Sequence, residues 1–228
     1  MDCWICGQPA TTGEHLIKAS DLKSYFGNVS QQKPIYQHSE ARKNLPIGSI
    51  KASSKLKSAA RLCAKCNNER TSAHDKAWSK LSSYLQDNLR KISKSGEVKL
   101  HKVFPGSISR DMKLVQLFFV KHFGCRAVSD GVPINTESLS QAILNETEHP
   151  NIYISFLNIP TQLKHKYAGL TPIQAVNING VSVFCSCAYI VGNLAVNIFY
   201  CTVENNQKAL KGAKKPSEIN KILNLGVL

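Results

Sequence analysis

Two patterns of apolar residues divide the chain. Residues 1–70 are rich in Lys, Ser, Gln and Gly and carry few regularly spaced apolar residues, as in small domains that a metal holds together in place of a large core. Short strands are predicted around Thr11–Ile17, and the Gly- and Pro-containing stretch 27–54 predicts a long loop with one hairpin. From Ser72 apolar side chains recur at helical spacing, which predicts a helix with Ser72 and Asp75 as its capping box.

Residues 90–100 are polar, and a different pattern follows them. We therefore predict a boundary between an N-terminal domain at 1–90 and a C-terminal domain at 97–228. Helical spacing predicts three further helices, at about 111–126, at 136–144 and from about Ser217. Runs of β-branched and aromatic residues predict strands at 152–157, 173–178, 181–190 and 194–203. The predicted fold class is α+β, with two helices and an antiparallel sheet in the C-terminal domain.

The chain is strongly basic, with 29 Lys and Arg against 15 Asp and Glu in 228 residues, a formal net charge of +14 and a pI near 9.5. Such an excess predicts a surface that binds a polyanion, DNA above all, with RNA not excluded. A run of basic residues leads into the second cysteine pair described below, and it predicts phosphate contacts by Lys51, Lys55, Lys57, Arg61, Lys65 and Arg70. The alternative is that this run is only a solvated face.

No targeting or membrane segment is visible in the sequence. The first residues lack a charged region followed by an apolar region, and polar residues interrupt the longest apolar stretch, 181–203. With eight cysteines and no export signal, we expect a cytoplasmic protein with reduced thiols. We also expect Cys125, Cys185, Cys187 and Cys201 to be buried as small apolar side chains.

Two C-x-x-C pairs carry the strongest chemical signal. Cys3 and Cys6 form the first pair, and Cys63 and Cys66 form the second. Each pair has the spacing that presents two sulfurs to one metal, and two such pairs complete a tetrahedral zinc site. Disulfide or redox roles are the alternative, but no βαβ pattern of the thioredoxin kind surrounds either pair.

A carboxylate, an imidazole and an amide lie close to these cysteines in the sequence. Glu14 and His15 follow the first pair, and Asn67 directly follows the second. A neutral imidazole can take a proton from water near pH 7, while a hard cation such as Mg²⁺ prefers carboxylate and carbonyl oxygens. These are the parts of a metal-dependent phosphodiesterase. Asn67 has an alternative role as a cap of the segment that follows it.

In this order, C-x-x-C, Glu-His-x-x-Lys and C-x-x-C-Asn, residues 1–85 resemble the zinc-bearing subgroup of the HNH nucleases. The resemblance implies a ββα-metal (treble-clef-like) fold, structural Zn²⁺ and hydrolysis of DNA phosphodiester bonds. It implies that His15 is the general base, that Glu14 and Asn67 bind a catalytic Mg²⁺ or Mn²⁺, and that His74 is a further candidate ligand. The proline that the family has after Glu-His-x-x is absent, and Lys18 takes its place.

The middle Asn of the HNH motif has no clear counterpart. Nine residues before Asn67 the chain has Ser58, and Asn44 lies farther upstream. Either Ser58 substitutes, or a longer loop brings Asn44 into place. This departure keeps a rival interpretation open, a non-catalytic zinc module that binds nucleic acid. The C-terminal domain could recognise DNA, form a homodimer or sense a signal.

Overall fold

The computed structural model describes residues 2–39, 43–159, 166–203, 208–210 and 212–227. Its N-terminal part contains β1 (Thr12–His15), α1 (Ala19–Phe26), β2 (Ile35–Gln37), β3 (Leu45–Ile47) and β4 (Lys57–Leu62). β1 pairs antiparallel with β4, and β2 pairs with β3 as the predicted hairpin. Sequence reasoning missed α1 and β4, because each is too short for its spacing of apolar residues to stand out.

Helix α2 (Ser72–Ser95) confirms the helix predicted from Ser72. The predicted capping box is wrong, because Thr71 precedes the helix without a side-chain cap and Asp75 pairs with two lysines instead. The helix continues through most of the polar segment 90–100 and ends at Gly96, whose φ of 67° is the left-handed conformation that glycine favours.

The C-terminal part contains α3 (Ile108–Asp130), α4 (Thr136–Leu144) and one large sheet. The strands of this sheet are β5 (Glu97–Lys99), β6 (Ile152–Asn158), β7 (Ala168–Leu170), β8 (Gln174–Ile178), β9 (Val181–Val191), β10 (Leu194–Cys201) and β11 (Ile222–Val227). Their order is β5-β11-β6-β10-β9-β7, with β8 also paired to β9. Every pairing is antiparallel except that of β11 with β6. The mixed α+β class and the four predicted strands are confirmed.

The helix predicted from Ser217 is wrong. Residues Pro216–Glu218 form a single 3₁₀ turn, and β11 follows. In β11, Leu223 and Leu225 are buried while the residues between and beside them are exposed. This alternation has the period of a strand, and the sheet uses it to insert β11 between β5 and β6.

Helix α3 joins the two parts of the molecule. It is buried along most of its length, because one side packs on β4 and α2 and other sides face α4 and β6. One hydrophobic cluster runs from Cys3 and Ile5 through Trp78 and Phe118 to Leu225. The division into domains at 1–90 and 97–228 stays a prediction, since the described residues share this continuous core.

Trp4 fixes the N-terminal cysteine pair onto α3. Its indole Nε1 donates a hydrogen bond to Cys125 Sγ at 3.4 Å, and its ring lies over Gly124, where an added Cβ would be only 2.6 Å from Cζ2 of the indole. Glycine is therefore required there by the close approach of the ring. None of the helices in the described ranges has the length and apolar character needed to cross a bilayer.

Candidate functional site

Four thiols form the first component of the site. The Sγ atoms of Cys3, Cys6, Cys63 and Cys66 all lie within 4.8 Å of one another, and those of Cys6 and Cys63 are 3.5 Å apart. Tetrahedral zinc with bonds of about 2.3 Å would need sulfurs roughly 3.8 Å apart. This thiol cluster can hold a metal ion, and its dimensions are compatible with structural zinc. The other four cysteines are free and buried, as predicted.

Local backbone geometry forms the two cysteine turns. The amide of Gly7 donates to the Cys3 carbonyl at 2.8 Å, and Gly7 has the positive φ of 71° that closes such a turn. The amide of Cys66 donates to Cys63 Sγ at 3.3 Å. Arg70 was predicted to contact phosphate, but its Nη1 donates to Cys66 Sγ at 2.8 Å. It therefore offsets part of the negative charge that thiolates would bring.

Strands β1 and β4 form an antiparallel pair, called the β1–β4 hairpin below, which has a buried face and an exposed face. On β4, Ser58, Ala60 and Leu62 are buried while Lys57 and Arg61 point outward. Gly13 lies opposite Arg61 and His15 lies opposite Lys57, with a β-bulge between Gly13 and His15. Because directly opposite residues share a face, the hairpin presents the imidazole beside two basic side chains.

His15 is held by the long connection between β1 and β4. It is half-buried, and its Nε2 lies 3.1 Å from the carbonyl oxygen of Ile50. Because a carbonyl only accepts, Nε2 carries the proton and Nδ1 keeps its lone pair. Burial lowers the pKa of His15, Lys57 lowers it further, and the bond to Ile50 acts in the opposite direction. The ring is therefore neutral near pH 7.

Glu14 lies on the buried side, against α3. Its Oε1 is 3.3 Å from the ammonium of Lys121 and 3.4 Å from Nε2 of His122, and burial lowers the pKa of His122 well below the ordinary histidine value. Lys121 also contacts Asp75, whose backbone carbonyl accepts from Lys18 Nζ at 2.6 Å. We call these four residues, Glu14, Lys18, Asp75 and Lys121, the carboxylate cluster.

Sequence reasoning missed Lys121 and gave Asp75 a different role. The available signal was a lysine within the apolar run 117–123, because a charge in a buried helix needs an opposite charge nearby. Burial alone would lower the pKa of Lys121, but the Glu14 and Asp75 carboxylates outweigh it and raise that pKa above the ordinary lysine value. Lys121 therefore remains charged.

Asn67 and His74, the other predicted ligands, are both fixed near the start of α2. The Nδ2 atom of Asn67 donates to Thr12 Oγ1 at 3.1 Å, while its Oδ1 is buried without a hydrogen bond from any described residue. His74 is fully buried, and neither ring nitrogen has a described partner. Burial, with Lys121 nearby, lowers the pKa of His74 to about 4. Within the described ranges, the thiol cluster is the one group of three or more His, Cys, Asp or Glu side chains that could share an ion.

The two candidates for the middle HNH residue have other contacts. Ser58 Oγ donates to the Cys125 carbonyl at 3.2 Å and lies 2.6 Å from Ser129 Oγ, so that it joins the hairpin to α3. Asn44 is exposed in the β2–β3 turn with a φ of 56°, and its amide donates to His38. In this chain two hydrogen bonds hold the long connection between β1 and β4 to the end of β1. His15 Nε2 donates to the Ile50 carbonyl, and the Leu16 amide donates to the Leu56 carbonyl at 2.8 Å.

A polar cleft of about 560 Å³ runs along α2 from Asn67. Its lining contains only polar residues, namely Lys18, Asn67, Asn68, Ser72, Asp75, Lys76, Ser79, Lys80 and Ser83. Of the remaining predicted phosphate contacts, Lys51, Lys55 and Lys65 are exposed. The described surface around the hairpin thus offers many cations and hydrogen-bond donors, which suits a phosphate-bearing ligand.

Comparisons with family models, with curated proteins and with solved structures found no match to this chain.

Proposed function

We propose that this protein is a zinc-stabilised endonuclease of the HNH type that hydrolyses phosphodiester bonds of DNA, with RNA as a further possible substrate. The order of elements supports this proposal. A cysteine turn is followed by β1, by a connection that contains α1, β2 and β3, and then by β4, a second cysteine turn and α2. Apart from that connection, this is the order expected of a ββα-metal fold. Zinc on the thiol cluster would hold this arrangement together.

The proposal depends on one observation, the setting of His15. The ring is neutral, its Nε2 proton is bound by Ile50, and its Nδ1 is left to accept a proton from water. A general base in this state contributes about 10²–10⁴ to a rate. Lys57 and Arg61 lie on the same face of the hairpin, where they would bind the phosphate oxygens next to the attacking water.

The divalent ion implied by the resemblance does not fit Glu14 as that carboxylate is arranged. The Glu14 carboxylate already contacts the Lys121 ammonium, and its side chain is only 12% exposed. Asn67 is different, because only its Nδ2 is engaged with Thr12, and its Oδ1 is buried without a described hydrogen-bond partner. An ion of charge +2 at Glu14 would lie close to Lys121, and like charges in a buried site repel strongly. The proposed proton transfer is therefore assigned to His15 without such an ion.

The Glu14–Lys121 contact also supports the second candidate function, a non-catalytic zinc module that binds nucleic acid. In that case the exposed face of the hairpin and the polar cleft would bind phosphates, and the buried carboxylate would be structural. Both candidate functions require that the protein bind nucleic acid, and only the nuclease would also cleave it.

A plasmid-nicking assay with and without Mg²⁺ or Mn²⁺ separates the two candidates. The wild-type protein should nick DNA, and His15→Ala should lose about 10²–10⁴ in rate while zinc content and DNA affinity stay near the wild-type values. The matched control is His101→Ala, since His101 is an exposed histidine outside the site. Binding without nicking under any of these conditions would favour the non-catalytic module, and cleavage by His15→Ala at the wild-type rate would remove His15 as the base.

A further inference from the structure

Lys121 is the most deeply buried cation of the site. Its side chain is 1% exposed, and its ammonium lies 3.3 Å from Glu14 Oε1, 3.4 Å from Asp75 Oδ2 and 3.2 Å from Thr71 Oγ1. A lysine ammonium has three N–H donors. The three oxygens therefore match its capacity, and they come from two places in the chain, β1 and the segment 71–75 at the start of α2.

These three oxygens resemble the environment of a hard metal ion. Mg²⁺ and Mn²⁺ are bound through carboxylate and other oxygen atoms, with water completing the shell. Here the same kind of donor set surrounds an ammonium that α3 supplies from another part of the chain. Asp75 also borders the polar cleft, so the pocket has a route to solvent on that side.

We propose that Glu14 and Asp75 form a latent divalent-cation site and that the Lys121 ammonium is its resident cation, which keeps Mg²⁺ or Mn²⁺ out. The charges support this assignment. Glu14 and Asp75 supply two negative charges, and Lys18 and Lys121 supply two positive ones. The carboxylate cluster is thus balanced without a metal, and a divalent ion must displace Lys121 in order to bind.

The test is Mn²⁺ binding by the zinc-loaded protein, followed by the electron paramagnetic resonance signal of free Mn²⁺. Lys121→Met should bind one Mn²⁺ at least about tenfold more tightly than the wild type, because a nearby positive charge is removed. The matched control is Lys113→Met, which removes a half-exposed lysine of the same helix and should leave Mn²⁺ binding unchanged. Adding Glu14→Gln to Lys121→Met should abolish the gain.

Equal Mn²⁺ affinities for the wild type and Lys121→Met would overturn the proposal, and so would the absence of binding to both. Because Lys121→Met leaves the buried Glu14 and the partly exposed Asp75 without their shared cation, thermal melting is measured with and without Mn²⁺. A melting temperature that Mn²⁺ raises in Lys121→Met but not in Lys121→Arg supports the latent site. A Lys121→Met protein that stays unfolded in Mn²⁺ overturns it, since Lys121 would then be purely structural.

This inference goes beyond the proposed nuclease activity and stands without it. Ion binding is measured in the absence of nucleic acid, so that failure of the latent site leaves the nicking assay unaffected. Conversely, a protein that nicks no DNA can still show the gain in Mn²⁺ affinity. The two proposals therefore fail separately.

Discussion

The thiol cluster and the carboxylate cluster both gather acidic groups in the N-terminal half, but their charges are compensated in different ways. Four sulfurs lie within 4.8 Å of one another, and a described cation that contacts them is Arg70, which donates to Cys66 and also interacts with Cys6. In the carboxylate cluster, Lys121 contacts both Glu14 and Asp75, and Lys18 contacts Asp75 again.

This difference teaches how to judge whether a cluster of ligating side chains needs a metal. Four thiolates with one guanidinium at their edge leave an excess of negative charge, which an ion of charge +2 reduces. Two carboxylates with two ammonium groups leave none. The thiol cluster has four ligating side chains and the carboxylate cluster has two, and the cations that the chain itself supplies separate the clusters further.

The largest expected effect comes from breaking the thiol cluster. Cys63→Ser or Cys66→Ser should release zinc and unfold residues 1–85, because a structural zinc contributes roughly 10–16 kcal/mol. Metal analysis and circular dichroism check this expectation. Cys201→Ser changes a buried cysteine outside the cluster and should leave the zinc content unchanged. Wild-type protein purified without zinc would contradict the proposed role of the thiols.

Removing the internal cation should have the next largest effect. Lys121→Met leaves the Glu14 and Asp75 carboxylates without their shared partner, and breaking a buried ion pair costs about 3–5 kcal/mol. Urea unfolding of the protein in a buffer without Mg²⁺ or Mn²⁺ measures this loss of stability. Adding Glu14→Gln should recover a large part of it, since the buried charge is then removed together with its partner. A loss of similar size in Lys113→Met would show that the effect is not specific to the carboxylate cluster.

His74 sharpens the comparison because it is a buried polar group whose ring nitrogens have no hydrogen-bond partner among the described residues. Its unbonded nitrogens should cost about 1–3 kcal/mol, so His74→Leu should raise the free energy of unfolding by a comparable amount. Burial keeps the ring neutral, with a pKa lowered from 6.5 to about 4. In the unfolded chain the ring takes up a proton as the pH falls through 6.5, so stability falls from there towards pH 4. His74→Leu should reduce this loss. Unfolding curves at several pH values test both effects, and a destabilised variant would indicate that the ring has a partner after all.

The smallest effects are expected on the exposed face of the hairpin, where solvent screens charge. Lys57 lowers the pKa of His15, so Lys57→Gln should move the acid limb of the pH–rate profile to higher pH. If Lys57 contacts phosphate, the same change should reduce the slope of log affinity against log salt by about 0.9. Lys94→Gln, an exposed lysine near the end of α2, is the control. An unchanged slope would mean that Lys57 is only part of a solvated face.

The sequence predicted most of the long, periodic elements and the four thiols, but little of what surrounds Glu14. The periodicity of α2 and the β-branched runs of the C-terminal sheet are local properties, and so is the C-x-x-C spacing. The partners of Glu14 are not local, since Lys121 lies on a helix more than a hundred residues away. The same holds for Ser58, whose bonds to Cys125 and Ser129 depend on tertiary packing. The roles of His15 and Asn67 in catalysis stay predictions.

The seating of Trp4 on α3 has a consequence for the growing chain on the ribosome. The indole and its partner Cys125 are 121 residues apart, so at about 5–20 residues per second the partner is made roughly 6–24 s after Trp4. During that interval Cys3 and Cys6 have neither the packing of α3 nor, for the first half, the thiols of Cys63 and Cys66. We expect zinc capture to be a late event in synthesis, with the first cysteine pair open to oxidation until the helix emerges.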